Sequence, residues 1–349
     1  MKISIILPYK ENFSSSYAGA VSLLLKDVVP KSKFKNVIKI YGSTNYKKDI
    51  LKKNYINLNS NKLFFQSSTN IYLNNFLLHE KKRISDLIEI HNRPNYINKV
   101  YNINKNIVLY FHNDPLEIKG SKSVNERINL LNKTKKIIFI SKWVKKQFLI
   151  GVNKKYFKSN NFEIIPHCIN KTKINYKNKK NLIIFVGRLN TSKGYDVFGN
   201  SIIKILNKYN NWKSVVLGDE PREKLNFKHK NLKVLGFKSH SYILKLYKNA
   251  SISVVCSRWN EPFGRTALEA SSRGCAVIIT NRGGLPEAAN TSLKINNLNV
   301  KNIYKAIEKL IKNKKFRVNL QKNSIKNFYL TNDYVSNKID KYRNNLIKV

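Results

Sequence analysis

Short runs of β-branched and aromatic residues alternate with longer amphipathic stretches, and this alternation restricts the fold more than any other feature of the sequence. Strands separated by helix-length segments are typical of βαβ units, so we expect an α/β protein with parallel sheets. Ligands of such sheets bind beyond the carboxyl ends of the strands, so polar residues that follow a strand are the first candidates for a site. The strands predicted in the first half are Ile3–Leu7, Val37–Tyr41, Leu87–Ile90, Ile107–Phe111, Lys136–Ile140 and Phe162–Ile165.

A second series of the same kind follows a polar stretch. Residues 171–181 are rich in Lys and Asn and are predicted to link a domain at 1–170 to a domain at 182–330. Residues 331–349 have apolar side chains at helical spacing and predict a helix that returns to the first domain. Two similar halves predict two Rossmann-like domains that face each other across a cleft. The strands predicted in the second half are Leu182–Val186, Ser214–Leu217, Leu232–Leu235, Ile252–Cys256, Ala276–Thr280 and Leu293–Ile295.

Composition limits the class of protein but does not identify it. The 349 residues include 66 Lys and Arg against 20 Asp and Glu, a formal net charge of +46. This charge leaves open a nucleic-acid binder, a partner of anionic membranes, or compositional bias, while a hydrophobic fraction of 42% excludes a disordered basic tail. No apolar run is long enough to span a membrane, and Met1–Pro8 is too short for a signal peptide. Because Cys168, Cys256 and Cys275 form no C-x-x-C pair, we expect a cytoplasmic protein without disulfides or structural zinc.

The most informative segment is Trp259–Ala270, which follows a predicted buried strand and opens a helix. Gly264 lets a ligand approach free backbone N–H groups at the helix start, and with Arg265 these groups would suit an anion such as a diphosphate. Glu269 in the helix and Glu261 in the preceding loop would accept hydrogen bonds from sugar hydroxyls. The alternative for both glutamates is a solvated carboxylate that favours the helix dipole.

A second segment, Val186–Gly194, carries two cations beyond the end of a strand. Arg188 and Lys193 would clamp a diphosphate from the side opposite the helix. The glycine spacing is not that of a Walker P-loop. The alternative is a basic loop in a chain that is rich in lysine.

A third segment contains the pair Gly283-Gly284 directly after the predicted strand Ala276–Thr280. Two glycines at a strand end form a tight turn where the backbone can approach a ligand closely. An ordinary βα turn is the alternative.

The three segments together resemble retaining glycosyltransferases of the GT-B fold, family four (glycosyl transferases group 1). The resemblance covers residues 183–288 almost continuously and rests on features that are weak singly and specific in combination. These features are the cations Arg188 and Lys193, the glutamates Glu261 and Glu269 with seven residues between them, the turn Gly283–Glu287, and the pairs Gly218-Asp219 and Gly236-Phe237.

The resemblance implies a role for each matching residue. Arg188 and Lys193 would bind the donor diphosphate, and Glu269 would hold the nucleotide ribose. Glu261, as a catalytic residue, would bind hydroxyls of the transferred sugar. Such enzymes generally bind the donor without a metal or other cofactor, because cations and a helix N-terminus stabilise the departing nucleoside diphosphate. The remaining donor contacts implied for this half are Phe237, Phe263, Gly264 and Arg265.

The first half matches the family more loosely, as an acceptor-binding domain would. Ser16–Ala20 resembles the family's glycine loop but keeps one glycine, Gly19, as the implied donor contact. His112 follows a predicted strand and matches the family histidine near the donor sugar, so it is the second implied catalytic residue. His91, which also follows a strand, is more typical of a structural hydrogen-bonding histidine.

The sequence therefore predicts an enzyme that moves a sugar from a nucleotide donor to a glycan or lipid-linked acceptor with retention, in cell-surface polysaccharide or lipopolysaccharide synthesis. Two alternatives stay open: a non-catalytic basic binder of nucleic acid or anionic membrane on the same scaffold, and a nucleotide-sugar epimerase of the same fold. Nucleic acid is the less favoured partner, because aromatic residues lie mostly in apolar runs such as Leu63–Phe65. The basic stretch Lys142–Phe148 would rest on the inner face of the membrane or would pack its apolar residues in the core.

Overall fold

The computed structural model describes residues 1–58, 67–157 and 161–347, and the chain divides into two compact units. The first unit comprises Met1–Cys168 together with Asn332–Val349, and the second comprises Ile169–Thr331. The apolar run Leu63–Phe65, predicted to be core, lies outside the described residues.

The first unit is built on a parallel sheet, of which the described residues form seven strands in the order β3-β2-β1-β4-β5-β6-β7. Its central strands β1, β4 and β5 are buried along their whole length, as expected of apolar strands that are covered by helices on both faces. The strands are β1 (Ile3–Ile6), β2 (Ile38–Gly42), β3 (Tyr55–Asn57), β4 (Leu87–His91), β5 (Ile107–Phe111), β6 (Lys136–Phe139) and β7 (Phe162–Ile164). The helices of this unit are α1 (Ala20–Val28), α2 (Ser68–Lys82), α3 (Ile97–Tyr101), α4 (Val124–Lys133), α5 (Lys142–Leu149) and α12 (Asn332–Ile347).

The second unit repeats this design with six parallel strands in the described residues, in the order β10-β9-β8-β11-β12-β13. Its core lies between the sheet and helices such as α6, whose apolar residues recur at helical spacing and are buried. The strands are β8 (Lys180–Val186), β9 (Lys213–Leu217), β10 (Leu232–Val234), β11 (Ala250–Val255), β12 (Ala276–Thr280) and β13 (Ser292–Ile295). The helices are α6 (Tyr195–Lys208), α7 (His240–Asn249), α8 (Arg265–Ser272), α9 (Leu285–Ala288), α10 (Val300–Lys312) and α11 (Lys314–Lys326).

Helix α12 packs on the first unit, as predicted, and a buried ion pair holds it there. The Arg343 guanidinium donates from Nε and Nη2 to the two carboxylate oxygens of Glu89 in β4, at 2.7 and 2.8 Å. Tyr342 also donates to Glu89, and its hydroxyl lies 2.6 Å from that of Tyr110 in β5. Both members of the ion pair are 1% exposed, so the two charges depend on each other for their stabilisation.

The α/β class with two parallel Rossmann-like sheets is confirmed, and one strand was not predicted from the sequence. Strand β3 is three residues long and half-buried, and among the described residues it pairs with β2 alone, at the edge of the sheet. None of the helices in the described residues has the length and apolar content that a membrane span needs.

Candidate active site

The order of strands in the second sheet fixes where a ligand can bind. Strands β8 and β11 are neighbours, but the chain leaves them toward opposite edges of the sheet, to β9 and to β12. The crevice beyond the carboxyl ends of two such strands is the usual binding place in open α/β sheets. The loops that border it here are residues 187–194 after β8 and 256–264 after β11.

Lys193 and Glu261, which the sequence placed on different loops, form an ion pair in this crevice. The Lys193 ammonium donates to Oε1 of Glu261, and the Ser257 hydroxyl donates to the same oxygen at 2.5 Å. The Lys193 ammonium also lies 4.8 Å from the centre of the Trp259 ring. The side chains of Lys193 and Glu261 are 22% and 11% exposed, so the pair is partly shielded but within reach of a ligand.

Backbone geometry brings the two loops this close. Lys193 ends a single 3₁₀ turn, and the next residue, Gly194, has a φ of 72°. A Cβ atom at Gly194 would lie 2.0 Å from the carbonyl oxygen of Cys256, at the end of β11. Only glycine therefore lets the Lys193 loop approach the loop that carries Glu261.

Arg188 is an exposed cation at the same edge of the sheet. Within the described residues its guanidinium has neither a hydrogen bond nor an ion pair. Arg188 thus differs from Lys193, and its charge is available to an anion without the loss of an existing contact.

The turn after β12 packs against the backbone of the loop that carries Glu261. The Gly284 N–H donates to the carbonyl oxygen of Glu261 at 2.6 Å. A Cβ at Gly283 would lie 2.2 Å from that same oxygen, and a Cβ at Gly284 would lie 2.3 Å from the carbonyl oxygen of Pro262. The two glycines are therefore needed by the protein's own backbone, which explains the Gly-Gly pair without a ligand.

Helix α8 begins after Gly264, which has a φ of 105°, and carries Arg265 and Glu269 on one face. Glu269 is buried, and its Oε1 accepts hydrogen bonds from Nε of Arg265 at 3.0 Å and from Nε2 of His240 at 2.8 Å. Burial disfavours the charged carboxylate, but the His240 hydrogen bond and the Arg265 charge outweigh it, and the pKa of Glu269 is lowered. Glu269 is therefore an ionised, pre-oriented acceptor group.

Two further residues implied as donor contacts lie in different environments. Phe263, next to the start of α8, is 2% exposed, whereas Phe237 is 45% exposed. Phe237 follows Gly236, which has a φ of 65° and whose carbonyl oxygen accepts a hydrogen bond from the Gly218 N–H at 2.9 Å. This bond fixes the loop after β10 to the loop after β9, so the exposed Phe237 ring is held at the carboxyl edge of the sheet.

In the first unit, His112 is paired with another histidine. Its Nε2 lies 2.9 Å from Nδ1 of His91, whose ring stacks on Tyr110 with centroids 4.3 Å apart. Both imidazoles are buried. Burial lowers the pKa of His91 to about 3, and the nearby positive charges of Arg343 and His167 act in the same direction. Burial also lowers the pKa of His112 well below its usual value, and the charge of His91 adds to this effect. The pair is thus neutral at physiological pH, with one N–H shared between the facing nitrogens.

Gly19 precedes helix α1 and lies against an acidic side chain of its own unit. Ser22, in the first turn of α1, donates from its N–H and hydroxyl to Oε1 of Glu11 at 3.0 and 2.8 Å. A Cβ at Gly19 would lie 2.3 Å from the same oxygen. The N-terminus of α1 therefore already holds a carboxylate, and the implied contact of Gly19 with a donor remains a prediction.

Sequence reasoning missed His240 and Ser257, which contact Glu269 and Glu261, and Glu11, which fills the space beside Gly19. Ser257 lies four residues before Glu261 in the same loop, where spacing does not predict a contact as it does in a helix, and His240 is 29 residues from Glu269. Across the described residues, no group of three or more His, Cys, Asp or Glu side chains is arranged to hold a metal ion.

Comparison with known proteins connects this geometry to one family. Residues 169–327 match the model of the family described as Glycosyl transferases group 1. The second unit thus matches this family over nearly its whole length. The uncharacterized glycosyltransferase MJ1607 of Methanocaldococcus jannaschii is 36% identical over 122 residues, which are 33% of this chain and 30% of that relative.

Solved structures extend the likeness to both units. HepE from Anabaena, crystallised with UDP-glucose, has a TM-score of 0.77 at 15% identity and covers 99% of this chain and 100% of its own. WaaG, a glycosyltransferase involved in lipopolysaccharide biosynthesis, has a TM-score of 0.71 at 16% identity, covering 97% and 99%. At such identities the likeness shows the fold, which is that of GT-B glycosyltransferases.

Proposed function

We propose that this protein is a retaining glycosyltransferase that moves a hexose-type sugar from a nucleoside diphosphate to an acceptor hydroxyl. The observation that carries the proposal is the Lys193–Glu261 pair at the β8–β11 crevice, with the exposed Arg188 on the neighbouring loop. A nucleotide sugar needs cations for its diphosphate and a carboxylate for its sugar hydroxyls, and this crevice offers both on adjacent loops. The match of the second unit to the glycosyl transferases group 1 supports the same reaction.

Donor binding would replace the ion pair between Lys193 and Glu261 by contacts of each residue with the donor. The diphosphate would draw the Lys193 ammonium and Arg188 toward its oxygens, and Glu261 would exchange Lys193 for the hydroxyls of the sugar. Gly264 and Phe263 would present backbone at the start of α8, and Arg265 would add positive charge near the diphosphate. Glu269, already ionised, would accept from the ribose hydroxyls, and Phe237 would meet the base. Donor binding is proposed to need no metal or other cofactor.

Transfer would break the bond between the sugar's anomeric carbon and the diphosphate oxygen, and would form a bond to the acceptor oxygen on the same face. The acceptor proton would pass to the departing diphosphate, whose growing charge Arg188 and Lys193 stabilise. His112 and Gly19 of the first unit are proposed to act beside the donor sugar and phosphate. The neutral state of His112 favours a hydrogen-bonding role over a charged one.

The acceptor is proposed to be a glycan or a lipid-linked precursor of cell-surface polysaccharide or lipopolysaccharide. The fold shared with WaaG supports this class of acceptor. The protein would act in the cytoplasm at the inner face of the membrane. Its net charge of +46 supports attraction to anionic lipid.

A panel of UDP-, GDP- and ADP-sugars tests the reaction. We expect one nucleotide family to raise the melting temperature and to release its nucleoside diphosphate when acceptor is supplied, with Glu261→Ala and Arg188→Ala reducing donor affinity at least 10-fold. Arg222→Ala, which removes an exposed arginine from a neighbouring loop, is the matched control. Absence of hydrolysis and transfer, together with unchanged donor binding by Glu261→Ala, would refute the proposal. Steeply salt-dependent RNA binding that Arg188→Ala leaves unchanged would favour a nucleic-acid binder instead.

Helix α5 is proposed to contribute to contact with the membrane. Val144 and Phe148 of this helix are buried in the first unit, whereas Lys142 and Lys146 are exposed, so the contact would be electrostatic rather than inserted. We expect binding to vesicles with 30% anionic lipid that weakens with salt and in Lys142→Glu/Lys146→Glu. The double variant Lys52→Glu/Lys53→Glu, at another exposed site of the first unit, is the control. Equal losses in the two double variants would assign the attraction to net charge alone.

A further inference from the structure

Arg258 and Trp259, in the loop after β11, bind the loop that carries Lys193. The backbone N–H groups of Arg258 and Trp259 both donate to the carbonyl oxygen of Ser192, at 2.9 and 3.2 Å. The Arg258 side chain reaches the same loop, and its Nη1 donates to the carbonyl oxygen of Thr191 at 2.5 Å. Arg258 also forms a two-pronged ion pair with Asp196 in the first turn of α6, with both N–O distances at 2.6 Å.

The ring of Trp259 provides the second contact. Lys193 has a long, flexible side chain, and its ammonium would lose its anchor whenever Glu261 turned to another ligand. Trp259 lies half-buried with its ring centre 4.8 Å from that ammonium, within the range of a cation–π attraction. The Trp259 ring can therefore hold the Lys193 ammonium through a cation–π contact that does not depend on Glu261.

We propose that Arg258 and Trp259 are positioning residues that hold the Lys193 ammonium in the crevice for an incoming diphosphate. The inference rests on the proposed function, since it assigns Lys193 to a diphosphate. Neither residue needs to touch the donor: Arg258 fixes the backbone of the loop, and Trp259 limits the region that the ammonium explores.

Stability alone does not account for this arrangement. The Arg258 and Asp196 side chains are 42% and 25% exposed, and ion pairs in such positions add little to the stability of a fold. A comparable pair exists on the next loop, where Arg222 contacts Glu220 at 2.7 Å. Glu220 accepts a hydrogen bond from Asn190 of the Lys193 loop, but within the described residues Arg222 itself makes no bond to that loop. Arg222 is thus a matched control of the same chemistry in the same unit.

The test measures binding of a nucleoside diphosphate to the full chain by calorimetry, with the one of UDP, GDP and ADP that stabilises the unmodified protein. We expect Trp259→Leu and Arg258→Met to weaken binding about 3- to 10-fold with little change in melting temperature. Trp259→Phe, which keeps an aromatic face, should recover most of the affinity, and Arg222→Met should bind normally.

A double variant separates positioning from a general effect on the fold. If Trp259 acts through Lys193, Trp259→Leu will cost nothing further in a Lys193→Met background. Additive losses, or unchanged binding by Trp259→Leu and Arg258→Met, would overturn the inference while leaving the proposed function intact. Failure of the unmodified protein to bind any of the three nucleotides would overturn both. If Trp259→Leu does not fold, Arg258→Met in the two backgrounds decides, because a further loss of affinity in the Lys193→Met background would overturn the inference.

Discussion

At the scale of single residues, Glu269 connects the candidate site to the stability of the fold. Its pKa is lowered because the His240 hydrogen bond and the Arg265 charge outweigh its burial. A carboxyl group with a lower pKa in the folded state stabilises the protein above its unfolded pKa of about 4.3, and this contribution is lost as the pH falls through the folded pKa.

We therefore expect Glu269→Gln to lower the free energy of unfolding by about 1–3 kcal/mol at pH 7, and to differ less from the unmodified protein below about pH 4. Urea unfolding at pH 7, 5 and 3.5 measures the difference. Glu117→Gln, which changes an exposed carboxylate, is the control and should have little effect. A difference that stays constant across this pH range would contradict the assigned charge state.

Lys179, unlike Glu269, is a residue whose structural role the sequence did not reveal. It lies in the segment predicted to be a linker, yet its ammonium donates to the carbonyl oxygens of Tyr247, Ala250 and Arg273 at 2.7–2.9 Å. Burial lowers the pKa of this lysine, as expected for a cation that is removed from water. The ammonium ties together the end of α7, the start of β11 and the residue after α8.

Replacement of Lys179 by Met should cost about 2–4 kcal/mol of unfolding free energy, because three carbonyl oxygens lose a charged donor. The neighbouring exposed Lys180→Met removes the same charge without these contacts and should change stability by less than about 0.5 kcal/mol. Chemical denaturation compares the two variants. Equal effects would mean that the segment behaves as a simple linker.

At the scale of elements, the turn between β12 and α9 determines the position of the loop that carries Glu261. Gly284 has an ordinary φ of −88°, but a Cβ there would meet the carbonyl oxygen of Pro262 at 2.3 Å. Gly236 presents the opposite case, because its φ is 65° and nothing lies within 4 Å of its added Cβ. Gly284 is required because a side chain there would collide with the backbone, and Gly236 is required because its φ is positive.

Gly284→Ala should therefore lower stability by about 1–3 kcal/mol and also weaken nucleotide binding, because the loop that carries Glu261 has to shift. Gly236→Ala should cost about 1 kcal/mol through its backbone conformation alone. Melting temperatures of the two variants, with nucleotide titrations of Gly284→Ala, check both effects. Normal nucleotide binding by Gly284→Ala would show that this turn does not position the loop that carries Glu261.

Most elements were predictable because their signal is local. Strand β5 has the same bounds in the sequence prediction and in the structure, since its five residues are aliphatic or aromatic and the polar residues Asn106 and His112 flank it. Strand β3 was missed because three half-buried residues after Lys52-Lys53-Asn54 carry no alternation, and their pairing with β2 is set by the fold. Local sequence also carries no sign of how far β11 extends: it starts at Ala250, two residues before the prediction, where its register with β8 shifts.

The candidate site was predictable in its residues but not in their partners. The resemblance identified Lys193 and Glu261 separately, and their contact depends on how closely two loops approach across neighbouring strands. The partners of Glu269 and His112 could not be predicted for the same reason, because His240 and His91 reach them from other elements. Pairings of this kind are set by tertiary structure, which a single sequence does not encode as a local pattern.

At the scale of the whole molecule, the buried Glu89–Arg343 pair joins the last helix to the first sheet. Loss of Arg343 would leave the Glu89 carboxylate without a cation, so Arg343→Met should cost about 3–5 kcal/mol. The double variant Glu89→Gln/Arg343→Met removes both charges and should recover part of this loss. Denaturation of the single and double variants measures the coupling, with the exposed Lys341→Met as control. Additive losses would show that the two charges do not depend on each other.

The division of the first unit into two stretches of chain has a consequence for synthesis on the ribosome. Domains commonly fold in order as they emerge, the N-terminal one first. Here Glu89 is made early, while Arg343 follows only after the continuous stretch Ile169–Thr331 has been translated. The second unit therefore has all of its residues outside the ribosome before the first unit does, and the N-terminal sheet gains the counter-ion of Glu89 only after the whole second unit has been made.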